Sequence, residues 1–216
     1  MTNQEKAKKL YSFVKRKIDM IKDQSDRHND SCVRATLAKL RRGVGKNPGR
    51  FPDIWDLTLD DLPESFLTKT DDPSREEWAT HIALTLFALH QQNKTPRNYD
   101  EYMNRSDEGL GCATRKLTVK LIIKHGKSSE DSIKATIKRR FDIVVTSDAP
   151  EEVAHHLRGL IQLLKGESIP LDYPQLAVDL FRFQSPESRD GVRLKWGQDY
   201  YYTGKDEENN DQETVC

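Results

Sequence analysis

The sequence predicts an all-α protein, and three observations carry that expectation. Apolar residues recur at three- and four-residue spacing through most of the chain. Almost no stretch alternates apolar with polar residues, and no Asn-Gly or Asp-Gly turn joins two β-rich runs. Prolines are absent from 1–47 and from 97–149, as long helices require.

Each element follows from its own pattern. A first helix over about Gln4–Lys22 aligns Leu10, Phe13, Val14, Ile18 and Ile21 on one stripe. A second starts at Asp30 or Ser31, turns Val33, Leu37 and Leu40 inward and stops at Gly43. Residues 43–73 are broken by Gly43, Gly45, Pro48, Gly49, Pro52 and Pro63. Their apolar anchors predict a docked irregular segment with a short helix near Leu59–Leu67.

Ser74-x-x-Glu77 is a capping box. The helix behind it, to about Gln92, is apolar nearly all round and should be the most buried. Further helices are expected over Ser106–Lys124, from a Ser129 cap through Val144, from Asp148 or Ser147 to Gly166, over Asp172–Phe183, and over Pro186–Tyr202. The polar link 93–105 divides the expectation into an N-terminal helical bundle, 1–105, and a C-terminal bundle, 106–203. A disordered acidic tail, 204–216, is expected to follow.

Composition sets the class. Charged residues make up 32% of the 216 and apolar ones 35%, with a mean hydropathy of −0.81. Such a chain builds a core only if its apolar residues are spent on one face of each helix. The charged start lacks the apolar stretch of a signal peptide. The longest uncharged run, His81–Asn93, is too short for a membrane helix, so no membrane partner is expected. Cys32, Cys112 and Cys216 are far apart and form no CxxC, which fits a cytoplasmic protein without structural zinc.

Lys plus Arg and Asp plus Glu both number 35, so the formal net charge is zero. The charges are not mixed. Cys32–Arg50 holds six cations and no carboxylate, a net +6; Arg115–Arg140 holds nine against Glu130 and Asp131, a net +7. The compensating acids concentrate in Asp53–Glu77, net −7, and in the tail from Gly204, net −4.

Spacing sharpens this. Arg34 and Arg41 are seven apart and share a helix face. Lys116, Lys120 and Lys124 step by four into a cationic stripe, and like charges so placed repel. An external polyanion would relieve them. Two acid-poor blocks on separate helices point to phosphate binding. Neither block contains Phe, Trp or Tyr, so the expected mode is backbone tracking, salt-sensitive and blind to sequence.

Catalytic and metal patterns are weak. Glu152-x-x-His155 has no second copy, and Glu77 with His81 sits beside Trp78 and Ile82 as a core-edge histidine would. Asp60-Asp61 and Asp71-Asp72 precede helices, where acids favour the dipole. Gly43-x-Gly45 with Lys46 and Arg50 is a glycine-and-cation loop suited to a phosphate, though a weak pattern. GxSxG, Walker A and GxGxxG are absent. No catalytic residue, metal site or cofactor is expected.

Several segments together carry a resemblance. They are Leu40-Arg41-Arg42-Gly43, Leu110-Gly111-Cys112-Ala113-Thr114-Arg115-Lys116-Leu117, Ile137-Lys138-Arg139-Arg140-Phe141, His156 through Leu164, Ile169-Pro170-Leu171-Asp172-Tyr173, and Val192 through Tyr200. In order and spacing the chain resembles the CasB-type small subunit of the type I-E CRISPR surveillance complex, Cascade, from about Leu10 to Tyr202. The acidic tail and the lengths of 43–73 and 93–105 depart from shorter members.

The resemblance implies an all-helical, non-catalytic subunit with two helical bundles. It implies as partners the Cascade backbone and large subunits, a second copy of itself, guide RNA, and the target and displaced DNA strands. By motif it implies nucleic-acid contact by Arg41, Arg42, Arg115, Lys116, Lys138, Arg139, Arg140, Arg158 and, least directly, Arg193. The charge spacing adds Arg34 and Lys120. Two other readings stand beside it: a helical adaptor whose basic faces dock acidic proteins, and a metal-dependent nuclease using Asp60 and Asp61.

Overall fold

The structure is a computed structural model that describes residues 1–202. The expected tail lies outside the described residues. Nine α-helices and several single 3-10 turns account for the described chain: α1 Asn3–Asp26, α2 Asp30–Arg41, α3 Trp55–Thr58, α4 Arg75–His90, α5 Leu110–His125, α6 Glu130–Thr146, α7 Pro150–Gly166, α8 Tyr173–Phe183 and α9 Pro186–Tyr201. The all-α expectation holds.

Local chemistry explains the boundaries. Thr2 and Glu5 form a reciprocal capping box that starts α1 earlier than the apolar stripe suggested. Ser74 and Glu77 do the same for α4, and Glu77 also accepts the Thr68 N–H at 3.3 Å. No helix forms over 59–67. Pro63 is extended at φ −53°, ψ 131° and Asp61 takes φ 59°, so the only helical turn there is the 3-10 turn Glu64–Phe66. The segment instead carries α3.

Helix α5 begins at Leu110 rather than Ser106, because Asp107 is left-handed at φ 65° and Gly109 is extended. Helix α7 begins on Pro150 rather than at Ser147 or Asp148. The proline ring holds Ala149 extended, at ψ 134°, and so sets the start. Ser129 precedes α6 but makes no side-chain cap bond.

Packing follows the apolar faces. Helix α4 is buried on nearly every side, as its composition predicts. It lies against α2, α7 and α8; α8 also lies along α1, and α5 packs on α6 and α9. The core cluster is continuous from Leu10 through Phe87 to Leu164 and Trp196, and α8 carries it between the two halves of the chain. The 93–105 link is tied to the start of α8. Leu171 N–H donates to Met103 O at 3.2 Å, Arg105 N–H to Leu171 O at 3.3 Å, and Tyr173 N–H to Asn104 Oδ1 at 3.0 Å.

Two buried polar contacts fix α8. Tyr173 is fully enclosed, and its hydroxyl contacts His90 Nδ1 at 2.9 Å. Burial drives the His90 imidazole down to about 3, so it stays neutral. Trp196 Nε1 donates to Asp179 at 2.7 Å and Gln175 Nε2 donates at 2.7 Å, which anchors α9 on α8. No described helix is long and apolar enough to cross a membrane.

Candidate nucleic-acid interface

The fold separates the basic residues into three groups. The first gathers around α7, whose Arg158 and Lys165 are seven apart and share one face. A groove of 450 Å³ runs between α2 and residues 91–96, lined by Arg34, Arg41 and Lys94 and, as its one carboxylate, by Asp30, which pairs with Arg97. Lys165 stands beside it. Burial lowers the Lys165 amine pKa, and the charges of Arg41 and Lys94 lower it further. Lys94 Nζ donates to Ser168 Oγ at 2.5 Å and Lys165 Nζ to Gln92 Oε1 at 2.8 Å, so neutral partners hold both ammonium groups in place.

At the other end of α7, Arg158 Nη1 lies 4.0 Å from where a Cβ on Gly45 would be, and Arg140 Nη1 lies 4.0 Å from the same point on Gly159. Gly45 takes φ 74°, which bends the Gly43–Lys46 loop toward Arg158. Beneath it, buried His81 meets Gly43 O through Nε2 at 3.1 Å. Desolvation lowers the His81 pKa, so the neutral ring donates here. Among the described residues, Arg34, Arg41, Arg42, Arg139, Arg140 and Arg158 make no ion pair and no side-chain hydrogen bond.

The second group is the α5 stripe, and here the structure corrects the expectation of lysines without acidic partners. Lys116 pairs with Glu108. Lys124 pairs with Glu167 at 2.7 Å, and Lys120 donates to the Glu167 carbonyl at 2.5 Å. On α6, Lys138 pairs with Asp142 and Lys134 with Glu130, each at 2.5 Å. Apart from Glu130, which the block itself contains, the partners Glu108, Asp142 and Glu167 lie outside the Arg115–Arg140 block and escape its charge count.

The third group is embedded in the α5–α9 and α6–α9 contacts. Arg193 donates to Val145 O at 2.7 Å and to Ser147 O at 2.9 Å, and pairs with Asp148 at 2.9 Å. It thereby satisfies carbonyls at the end of α6, a structural task. Arg115 is half-buried and lines a cavity of 270 Å³ with Asp107, Asp172 and Asp199. The structure therefore brings Arg34, Arg41, Arg140 and Arg158 to the surroundings of α7. Arg42 sits at the end of α2 and Arg139 on exposed α6, while Arg115, Lys116, Lys120, Lys138 and Arg193 are held by other contacts.

The family model for CRISPR-associated protein Cse2 matches residues 36–201. The chain belongs to the Cse2 family. A crystal structure of CasB from Thermobifida fusca superposes with a TM-score of 0.69 at 33% identity, covering 90% of this chain and 98% of that one. A search of curated proteins returned no match. The family bears out the CasB-type resemblance read from the sequence.

Within this Cse2 fold, sequence reasoning missed Lys94 and Lys165. Lys165 was legible as the residue seven beyond Arg158. Lys94 had no such signal, because only the docking of the 93–105 link carries it to α7. The candidate catalytic pairs come to little. Asp61 reaches Arg16 only at 3.9 Å, and no group of three or more His, Cys, Asp or Glu side chains gathers among the described residues.

Proposed function

We propose that the chain acts in the cytoplasm as the non-catalytic small subunit of the type I-E surveillance complex Cascade. It holds the phosphates of the target strand, the displaced strand and the guide RNA, and so stabilises the R-loop. Its partners on this reading are the Cascade backbone and large subunits and a second copy of itself. The observation that supports this best is that Arg41, Arg140 and Arg158, which make no ion pair among the described residues, come to the surroundings of α7 with Lys94 and Lys165.

The physics suits the task. R-loop formation exchanges one duplex for another of nearly equal stability, so modest attraction to phosphate tips it. A cluster of cations that repel one another gains free energy when a polyanion arrives. Arg140 reaches α7 at Gly159, and Arg139 beside it is an exposed cation on α6. Replacing both by Ala is expected to weaken R-loop formation about tenfold while guide-RNA loading stays intact, as read by gel shift on the assembled complex. Equal R-loop stability across a salt series would contradict the assignment. Absence of single-strand binding by the free subunit at low salt would favour an adaptor docking acidic proteins.

A further inference from the structure

A cavity of 240 Å³ opens between the Gly43–Lys46 loop, the start of α4 and the first half of α7. Lys46, Trp78, Ile82, Glu151, His155 and Arg158 line it. The basic sequence blocks contain no aromatic residue, yet the fold brings an indole from α4 into one lining with Lys46, from the first block, and with Arg158.

Trp78 is also the odd one among the three tryptophans. Trp55 Nε1 donates to Pro48 O at 3.0 Å and Trp196 Nε1 to Asp179. Trp78 is only 6% exposed, and its N–H has no partner among the described residues. That N–H is not enclosed, so an acceptor from solvent or from a bound ligand can reach it. Arg158 likewise has no partner, and Lys46 Nζ rests 4.5 Å above the Phe51 ring.

The loop that forms the rim is fixed in advance. A Cβ on Gly43 would fall 2.6 Å from Ile54 Cδ1, so the loop lies tight on the core, with His81 bonded to its carbonyl. The lining thus combines an indole and an aliphatic wall, an N–H open to an acceptor, one carboxylate acceptor and two cations. That combination matches a flat, polar-edged ring joined to an anion.

We propose that this cavity receives one unpaired nucleotide of the bound strand, with the base against Trp78 and the adjoining phosphate on Lys46 and Arg158. The inference rests on the strand-binding reading and extends it: binding has a base-dependent part as well as a phosphate part. Base–aromatic contact of this kind tolerates any sequence, so no sequence preference follows.

The test compares two probes of equal length and charge, oligothymidylate and its fully abasic analogue, each titrated into the full chain at one salt concentration. The wild type is expected to bind oligothymidylate about tenfold tighter than the abasic probe. Trp78→Leu is expected to bring that ratio close to one and leave abasic binding unchanged, whereas Arg158→Ala weakens both probes. His155→Ala, on the exposed face of α7, probes the mouth of the cavity without touching the core, and should lower the ratio about threefold even if Trp78→Leu does not fold. Equal affinity of the wild type for both probes, or a ratio unchanged in His155→Ala, overturns the nucleotide site and leaves strand binding standing. Failure to bind either probe at low salt overturns both.

Discussion

Lys116, Lys120 and Lys124 on α5 and Arg41, Arg158 and Lys165 around α7 carry the same formal charge in very different surroundings. On α5 the outer two lysines face carboxylates and the middle one a carbonyl. Around α7 both arginines lack partners among the described residues, and the lysine amine is pushed down by burial and by its cationic neighbours. A paired lysine must give up its partner before it can take a phosphate. An unpaired cluster loses only repulsion. Counting charges ranks the two regions alike; tracing the partners separates them, and on the proposed reading α5 serves architecture and α7 binding.

The contrast can be attacked first from the α5 side. A Cβ on Gly111 would sit 2.1 Å from Trp196 O and 2.8 Å from Tyr200 N, so α5 and α9 meet there with no room for a methyl group. Gly111→Ala is expected to cost about 3 kcal/mol in denaturant unfolding, and the folded fraction should bind strands as before. A loss of affinity without loss of stability would put α5 in the interface.

Asp179 tests the same region by pH. Burial raises its carboxyl to about 6, against an ordinary 3.8. The folded state therefore holds the proton more tightly than the unfolded chain. This favourable contribution is complete below about pH 4 and is lost as pH rises through 6, a change of about 3 kcal/mol. Asp172, also buried, is raised in the same direction. Asp179→Asn should flatten the fall in melting temperature between pH 4.5 and 7, while strand affinity at neutral pH stays constant. A wild-type stability that rises over that range for want of any Asp179 effect would refute the buried-carboxyl account.

A smaller effect is expected at Arg193. Arg193→Ala removes the donors that close α6 and should cost about 2 kcal/mol in thermal or denaturant melts. Affinity for a single strand should change less than about twofold, since its donors are spent on protein carbonyls. A clear drop in affinity would return Arg193 to the binding surface.

Much of the fold was legible because helices are local. The stripe from Leu10 to Ile21, the Ser74–Glu77 box and the all-apolar α4 each needed only neighbouring residues. Errors fell where one residue's backbone overrode the pattern, as with Asp61, Asp107 and Pro150. The proposed binding surface was half legible. Arg41 and Arg158 stood in recognisable segments, and the i,i+7 relation to Lys165 was available. The partner Glu167, the docking of Lys94 and the shared cavity lining of Trp78 and Lys46 depend on contacts distant in sequence, and Glu108 lies just outside the block; no block of charge reveals them.

The central claim is that the cations around α7 bind phosphate and those of α5 do not. The direct measurement is a salt series of single-stranded DNA titrations on two triple variants, Arg41→Ala/Arg158→Ala/Lys165→Ala and Lys116→Ala/Lys120→Ala/Lys124→Ala. Each phosphate contact contributes about −0.7 to the slope of log K against log salt. The α7 triple should make the slope shallower by about 2, and the α5 triple should shift it by less than about 0.5. Equal shifts, or a larger one for α5, would contradict the account.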